Sequence, residues 1–294
     1  MRLVTFTPRN NPTAAPRVGA LVRAGNGVLD FTRLDLPMPP DLLACFDLDA
    51  AWLPRAFALA ASEPSADAVV AIETIRPRAP VPRPGKLVCV GLNYRDHAAE
   101  SKMPVPERPV LFSKFTTAVI GSGDPIVLPA SSEKVDYEAE LAVVVGRRAK
   151  RVSREEAAHA ILGYTIVNDV SARDFQFGDG QWQRGKSCDT FAPMGPWIVT
   201  ADEVADPQRL GIRLRLNGQT LQSSNTDQMV FGAVDLVAYI SETITLEPGD
   251  VIATGTPPGV GFARQPPIFL KDGDRVEVEI DGLGVLKNPV KADG

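Results

Sequence analysis

Residues 135–145 read Val-Asp-Tyr-Glu-Ala-Glu-Leu-Ala-Val-Val-Val. The apolar, β-branched end of this stretch predicts a strand, and strand side chains alternate between two faces. Glu138, Glu140, Ala142 and Val144 then share one face, and Ala139, Leu141, Val143 and Val145 share the other. The glutamate face runs on into Ala142 and Val144, so it heads into apolar surroundings. Two carboxylates there repel each other and are costly to take out of water. A divalent cation between them relieves both problems. The alternative is a half-exposed strand end with two solvated glutamates.

A third carboxylate lies downstream. Tyr164–Asp169 reads as a strand ending in Asn-Asp, followed by Ser171-Ala-Arg173-Asp-Phe-Gln176. If Ser171 caps a helical turn, Arg173 and Gln176 project together. Glu138, Glu140 and Asp169 offer only hard oxygen donors, a set suited to Mg²⁺ or Mn²⁺ rather than zinc. His97 and Glu100 stand one helical turn apart in GLNYRDHAAE (91–100). A carboxylate beside an imidazole fixes its tautomer and raises its basicity, as a general base requires. A solvated histidine on a loop helix is the competing reading. Lys186 follows a glycine among polar turn residues. It is either solvated or, beside a carboxylate–metal cluster, a holder of an enolate or substrate carboxylate. The loop Thr254–Gly261 is either a turn between strands or a rigid support that offers Thr256 to a small acid. His159, in an alanine-rich helix without an obvious partner, reads as structural.

Composition narrows the classes. The chain has 294 residues, 44% hydrophobic and 23% charged, which fits two domains or one large one. Gly 24 and Pro 26 indicate many turns and therefore many strands. The net charge of −5 has no long run of one sign and offers no basic face for nucleic acid. No apolar run approaches the ~18 residues of a membrane span. The N-terminal MRLVTFTPRN reads as a strand entering a turn rather than a signal peptide. Cys45, Cys89 and Cys188 form no CxxC, which points to reduced thiols in a cytoplasmic protein. No G-x-G-x-x-G occurs, which disfavours a dehydrogenase.

Short strand-like runs at Val4–Phe6, Val18–Val22 and Gly27–Phe31, an alanine-rich helix over 50–62 and a strand over Ala68–Ile75 suggest a small N-terminal unit, 1–75. Residues 76–85 hold four prolines and read as an extended linker. From residue 86 to 294 strand candidates dominate. Ser153-Arg-Glu-Glu156 is a capping box opening a helix to about Leu162, Val234–Ser241 is a second helix, and Asn217-Gly218 is a hairpin signal. The expected fold class is mostly β with α decoration (α+β).

Together these segments resemble the fumarylacetoacetate hydrolase family. The resemblance runs from about Lys86 to Val290 through GLNYRDHAAE (91–100), PVLFSKF (109–115), VDYEAELAVVVG (135–146), YTIVNDVSARDFQ (164–176), GKSCDTFAPMGPWIVT (185–200), NGQTLQSSNTDQMVF (217–231) and LEPGDVIATGTPPGVGF (246–262). It implies a rolled mixed β-sheet domain, a small N-terminal accessory domain and a homodimer. It also implies Mg²⁺ or Mn²⁺ on Glu138, Glu140 and Asp169. His97, Glu100 and Lys186 would be catalytic, Arg173, Gln176 and Thr256 would orient a small 2-oxo or diketo acid, and the segment around His97–Glu107 would form a lid. Cys188 departs from the phenylalanine more usual in the family. The first expectation is a metal-dependent hydrolase cleaving a C–C bond of acylpyruvates. The second is a decarboxylase or isomerase of 2-oxo diacids such as oxaloacetate. From another class, the chain would be a non-catalytic oxo-acid-binding protein.

Overall fold

The computed structural model describes residues 1–34, 42, 52–62, 64–100 and 104–293. Among them the short apolar runs form strands that glycine and proline separate. Residues 1–77 supply β1 (Arg2–Pro8), β2 (Arg17–Val22), β3 (Gly27–Asp30), β4 (Val69–Ala71) and β5 (Ile75–Pro77). The remainder supplies β6 (Leu87–Gly91), β7 (Val110–Lys114), β8 (Val119–Ile120), β9 (Ile126–Leu128), β10 (Val135–Asp136), β11 (Ala139–Val145), β12 (Ile161–Asn168), β13 (Ser171–Ala172) and β14 (Ala192–Thr200). It continues with β15 (Gly211–Leu216), β16 (Gln219–Asn225), β17 (Val251–Ala253), β18 (Arg275–Ile280) and β19 (Gly284–Ala292). Short helices decorate these strands, so the fold is strand-dominated α+β with mixed sheets.

The largest sheet has 12 strands with the path β4-β3-β2-β1-β14-β12-β11-β17-β6-β7, and a five-stranded sheet follows the order β16-β15-β18-β19-β9. All seven residues of β11 are buried, because β12 and β17 flank it and both its faces are covered. That double burial explains its almost unbroken apolar run. The β11–β12 register pairs Ala139 with Asn168, so Glu138 and Asp169 emerge side by side at the same sheet end. The Asp169 N–H donates to the Glu138 carbonyl at 2.9 Å. The register therefore places two of the three sequence-predicted carboxylates together.

Several local expectations need correction. The strand expected over Ala68–Ile75 is broken into β4, a short helical turn and β5. The proline-rich stretch is built into the fold: Ala79, Pro80 and Val81 are buried, β5 pairs with β1, and β1 pairs with β14. The 153–156 capping box is present in both directions, but its helix stops at Ala160 because Ile161 and Leu162 join β12. Ser171 does not cap the next helix, Arg173–Gly178. It lies in β13, its hydroxyl donates to the Asp169 carbonyl, and Ala172 holds the cap position. Asn217 and Gly218 make the expected hairpin turn, with φ of 52° and 83°. Cys45 and residues 101–103 of the expected lid lie outside the described residues.

One position tests the packing of the site-bearing strands. A Cβ at Gly163 on β12 would lie 2.2 Å from the Val199 carbonyl oxygen on β14. Gly163→Ala should destabilise the protein by about 1–3 kcal/mol, read by chemical denaturation. An unchanged midpoint would contradict this close approach.

Candidate active site

Glu138, Glu140 and Asp169 are all buried, and one carboxylate oxygen from each lies within 4.8 Å of the others. The repulsion expected from the sequence is balanced by three buried cations. Lys186 Nζ donates to Glu138 Oε2 and to Asp169 Oδ2, each at 2.7 Å. Lys114 Nζ reaches Asp169 Oδ1 at 2.5 Å and the Val170 carbonyl at 2.9 Å. Arg173 Nη2 lies 2.5 Å from Glu138 Oε1 and 2.9 Å from Asp136 Oδ2. Burial alone would raise the Glu138 pKa, but Lys186 and Arg173 override it and pull it down to about 2. Burial opposes the charge of Lys186 as well, yet Asp169 and Glu138 hold its pKa above the ordinary lysine value.

Glu140 has no such partner. Among the described residues its Oε2 accepts only the Gly255 N–H, at 2.9 Å. Burial, with the negative charges of Asp169 and Glu138, drives its pKa well above the usual carboxylate range. Gly255 has φ +98°, and a Cβ there would meet the Asn93 Cβ at 2.8 Å, so glycine is what lets this backbone donor approach. The cluster thus fits a hard divalent cation: three convergent carboxylates, one of them without a counter-ion, and no thiol or imidazole in the set.

A cavity of about 350 Å³ opens on the cluster. His97, Glu100, Glu138, Glu140, Arg173, Gln176, Lys186 and Thr256 all line it, and Asp169 lies beneath, bridged by Lys186. All nine sequence-predicted residues are therefore brought to one place. His97 and Glu100 sit on the helix Arg95–Glu100, with Nδ1 3.1 Å from Glu100 Oε2. A carboxylate only accepts, so Nδ1 carries the hydrogen; in the neutral imidazole that tautomer leaves the lone pair on Nε2. The other Glu100 oxygen accepts the Gly259 N–H at 2.9 Å, which ties this helix to the Thr256 loop. Arg173 Nη1 donates to Gln176 Oε1 at 2.9 Å.

Sequence reading missed four groups. Lys114 stood in the segment PVLFSKF (109–115) without a role assigned to it. Asp136, fully buried, grips Arg173 and accepts the N–H groups of Gly261 and Phe262. Burial raises its pKa and Arg173 opposes the rise. Gln222 joins Ala139 to Thr256. Phe112, Trp182, Phe177 and Phe262 form an aromatic wall, with Phe112–Trp182 and Phe177–Phe262 centroids 5.4 and 5.6 Å apart. Their only sequence signal was a scatter of aromatics around the charged motifs.

A profile of the Fumarylacetoacetate (FAA) hydrolase C-terminal family matches residues 86–291. The chain belongs to the fumarylacetoacetate hydrolase family. Across this family it is 46% identical over 293 residues to a mitochondrial oxaloacetate tautomerase of Homo sapiens, covering 99% of this chain and 91% of the relative. It is 44% identical over 292 residues to the corresponding protein of Xenopus laevis, covering 99% and 90%. A solved fumarylacetoacetate hydrolase from Exiguobacterium antarcticum superposes with a TM-score of 0.84 at 36% identity, covering 100% of both chains. A solved 5-carboxymethyl-2-hydroxymuconate delta-isomerase from Mycobacterium smegmatis gives 0.78 at 38%, also covering 100% of both. No helix among the described residues is long and apolar enough to cross a membrane. The tautomerase relatives are mitochondrial by name, which does not support the cytoplasmic location expected from the cysteines.

The charge pattern separates two conservative changes in metal-free protein. Glu138→Gln leaves Lys186 and Arg173 short of a counter-charge and should cost about 3–5 kcal/mol. Glu140→Gln removes a carboxylate that has no cation and should leave stability equal or higher. Thermal unfolding in chelator reads both, and equal losses would contradict the charge assignment.

Proposed function

We propose that this chain is a divalent-metal-dependent tautomerase of a small 2-oxo diacid, with oxaloacetate as the substrate of choice. The observation that carries the reading is the placement of a His97–Glu100 pair and the Lys186-bridged carboxylates around one cavity. Likeness to tautomerases at 44–46% identity and to an isomerase of the same fold supports it. Hydrolysis of acylpyruvates, the first expectation from the sequence, rests on family likeness alone.

Tautomerisation moves one proton between C3 and the 2-oxo oxygen. His97 Nε2 takes the C3 proton as the C2–C3 double bond forms, Glu100 stabilises the imidazolium, and water protonates the enolate oxygen; the reverse reaction returns both protons. Lys186 Nζ stabilises the negative charge that develops on the enolate oxygen. Arg173 and Gln176 bind and orient the acid, and the aromatic wall excludes water around the reacting carbon. Glu138, Glu140 and Asp169 would hold Mg²⁺ or Mn²⁺, which when bound supplies Lewis acidity toward the 2-oxo group. Lys186, held by Glu138 and Asp169, keeps its ammonium beside the place where those carboxylates would hold the ion.

The assembly we propose is a homodimer, since β7 is an open sheet edge and Phe115 beside it is 61% exposed. A monomeric mass by sedimentation would contradict that. The catalytic assignment is tested by His97→Ala. Enol–keto interconversion of oxaloacetate, followed spectrophotometrically with saturating Mn²⁺, should fall by about a hundred- to ten-thousand-fold. Calorimetric Mn²⁺ affinity should stay unchanged, because no ligand is removed. Wild-type rates in the variant would show that His97 moves no proton.

A further inference from the structure

Gln222 on β16 is 1% exposed and makes three hydrogen bonds. Two of its partners fix the amide orientation. The Ala139 N–H can only donate, and it reaches Oε1 at 2.9 Å. The Pro257 carbonyl can only accept, and it lies 2.8 Å from Nε2. The remaining Nε2 hydrogen points to Thr256 Oγ, 2.8 Å away. Thr256 must accept there, so its own hydroxyl hydrogen turns away from Gln222. Among the described residues that hydroxyl donates to no protein acceptor, and Thr256 lines the cavity.

We propose that Gln222 is a positioning residue that fixes Thr256 as a hydrogen-bond donor into the cavity, so that this wall takes an acceptor-only oxygen; with the 2-oxo oxygen at Lys186, that oxygen belongs to a substrate carboxylate. A free threonine hydroxyl turns to donate or accept as its partner requires. The Gln222 amide removes that choice. It also binds the backbone between Glu138 and Glu140, so the donor is held at a set position relative to the carboxylate cluster. The inference rests on the reading of this cavity as the substrate site and adds which group the site selects there.

The test uses oxalate with Mg²⁺ as a binding probe, by calorimetry, alongside steady-state kinetics with oxaloacetate. Thr256→Val and Gln222→Met should each weaken oxalate binding about tenfold or more. Each should raise KM for oxaloacetate with kcat largely kept, since the bond is to a carboxylate that does not react. The double variant should bind no more weakly than Thr256→Val alone, and Thr256→Ser should bind as wild type does. If Gln222 serves only to hold the loop, its loss multiplies with that of Thr256→Val, which overturns the proposal. Wild-type affinity in Gln222→Met, or in Thr256→Val, overturns it as well. Should Gln222→Met fail to fold by circular dichroism, Gln222→Glu keeps the length and presents an acceptor to Thr256. The same loss is then expected, and wild-type affinity would overturn the proposal. A wild-type protein that binds oxalate yet does not tautomerise oxaloacetate refutes the proposed activity and leaves this inference standing. One that does not bind oxalate refutes both.

Discussion

Everything around the cavity depends on one electrostatic arrangement: four buried carboxylates held against three buried cations. Asp136, Glu138 and Asp169 each touch a cation, and among the described residues Glu140 touches none. An isolated buried charge costs far more than folding can supply, so each cation must find its carboxylate in the native register or the fold fails. The uncompensated Glu140 is where the arrangement departs from maximum stability. A protein built only to be stable has little use for it, whereas a divalent cation site does.

That arrangement explains why the site sits at this sheet end. The β11–β12 register sets Glu138 beside Asp169. β7 brings Lys114 from the sheet edge, and the helix ending at Lys186 brings the second ammonium. The Gly255 turn then supplies the one neutral donor Glu140 has. Strands and the residues at their ends carry the four carboxylates and Lys114, short helices carry Arg173 and Lys186, and His97, Glu100 and Thr256 lie on connecting segments that face them. The cross-ties Glu100–Gly259 and Gln222–Thr256 hold those segments in place. Proton-moving groups and charge-holding groups thus come from separate elements around one small space.

How much of this was legible in the sequence follows from the range of each signal. Glu138 with Glu140, His97 with Glu100, and Arg173 with Gln176 are local pairs, and strand or helix periodicity is enough to align them. The Ser153 capping box and the Asn217-Gly218 hairpin are local in the same way. Lys114 and Gln222 were not legible, because their partners lie 55 and 83 residues away and only the tertiary register brings them together. Ser171 misled for a related reason: it pairs with Asp136 across β13 and β10, so the helix starts only at Arg173 and Ala172 takes the cap position. The expected strand over Ala68–Ile75 failed because short turns there split it so that β4 pairs with β3 and β5 with β1.

The central claim is that this site moves a proton within a 2-oxo diacid and leaves the carbon skeleton whole. The most direct measurement is nuclear magnetic resonance of uniformly ¹³C-labelled oxaloacetate in D₂O with enzyme and Mn²⁺ at a low, non-broadening level. The account predicts enzyme-dependent deuterium entry at C3, ahead of any C–C cleavage product. Enzyme-dependent release of pyruvate without faster C3 exchange would contradict it.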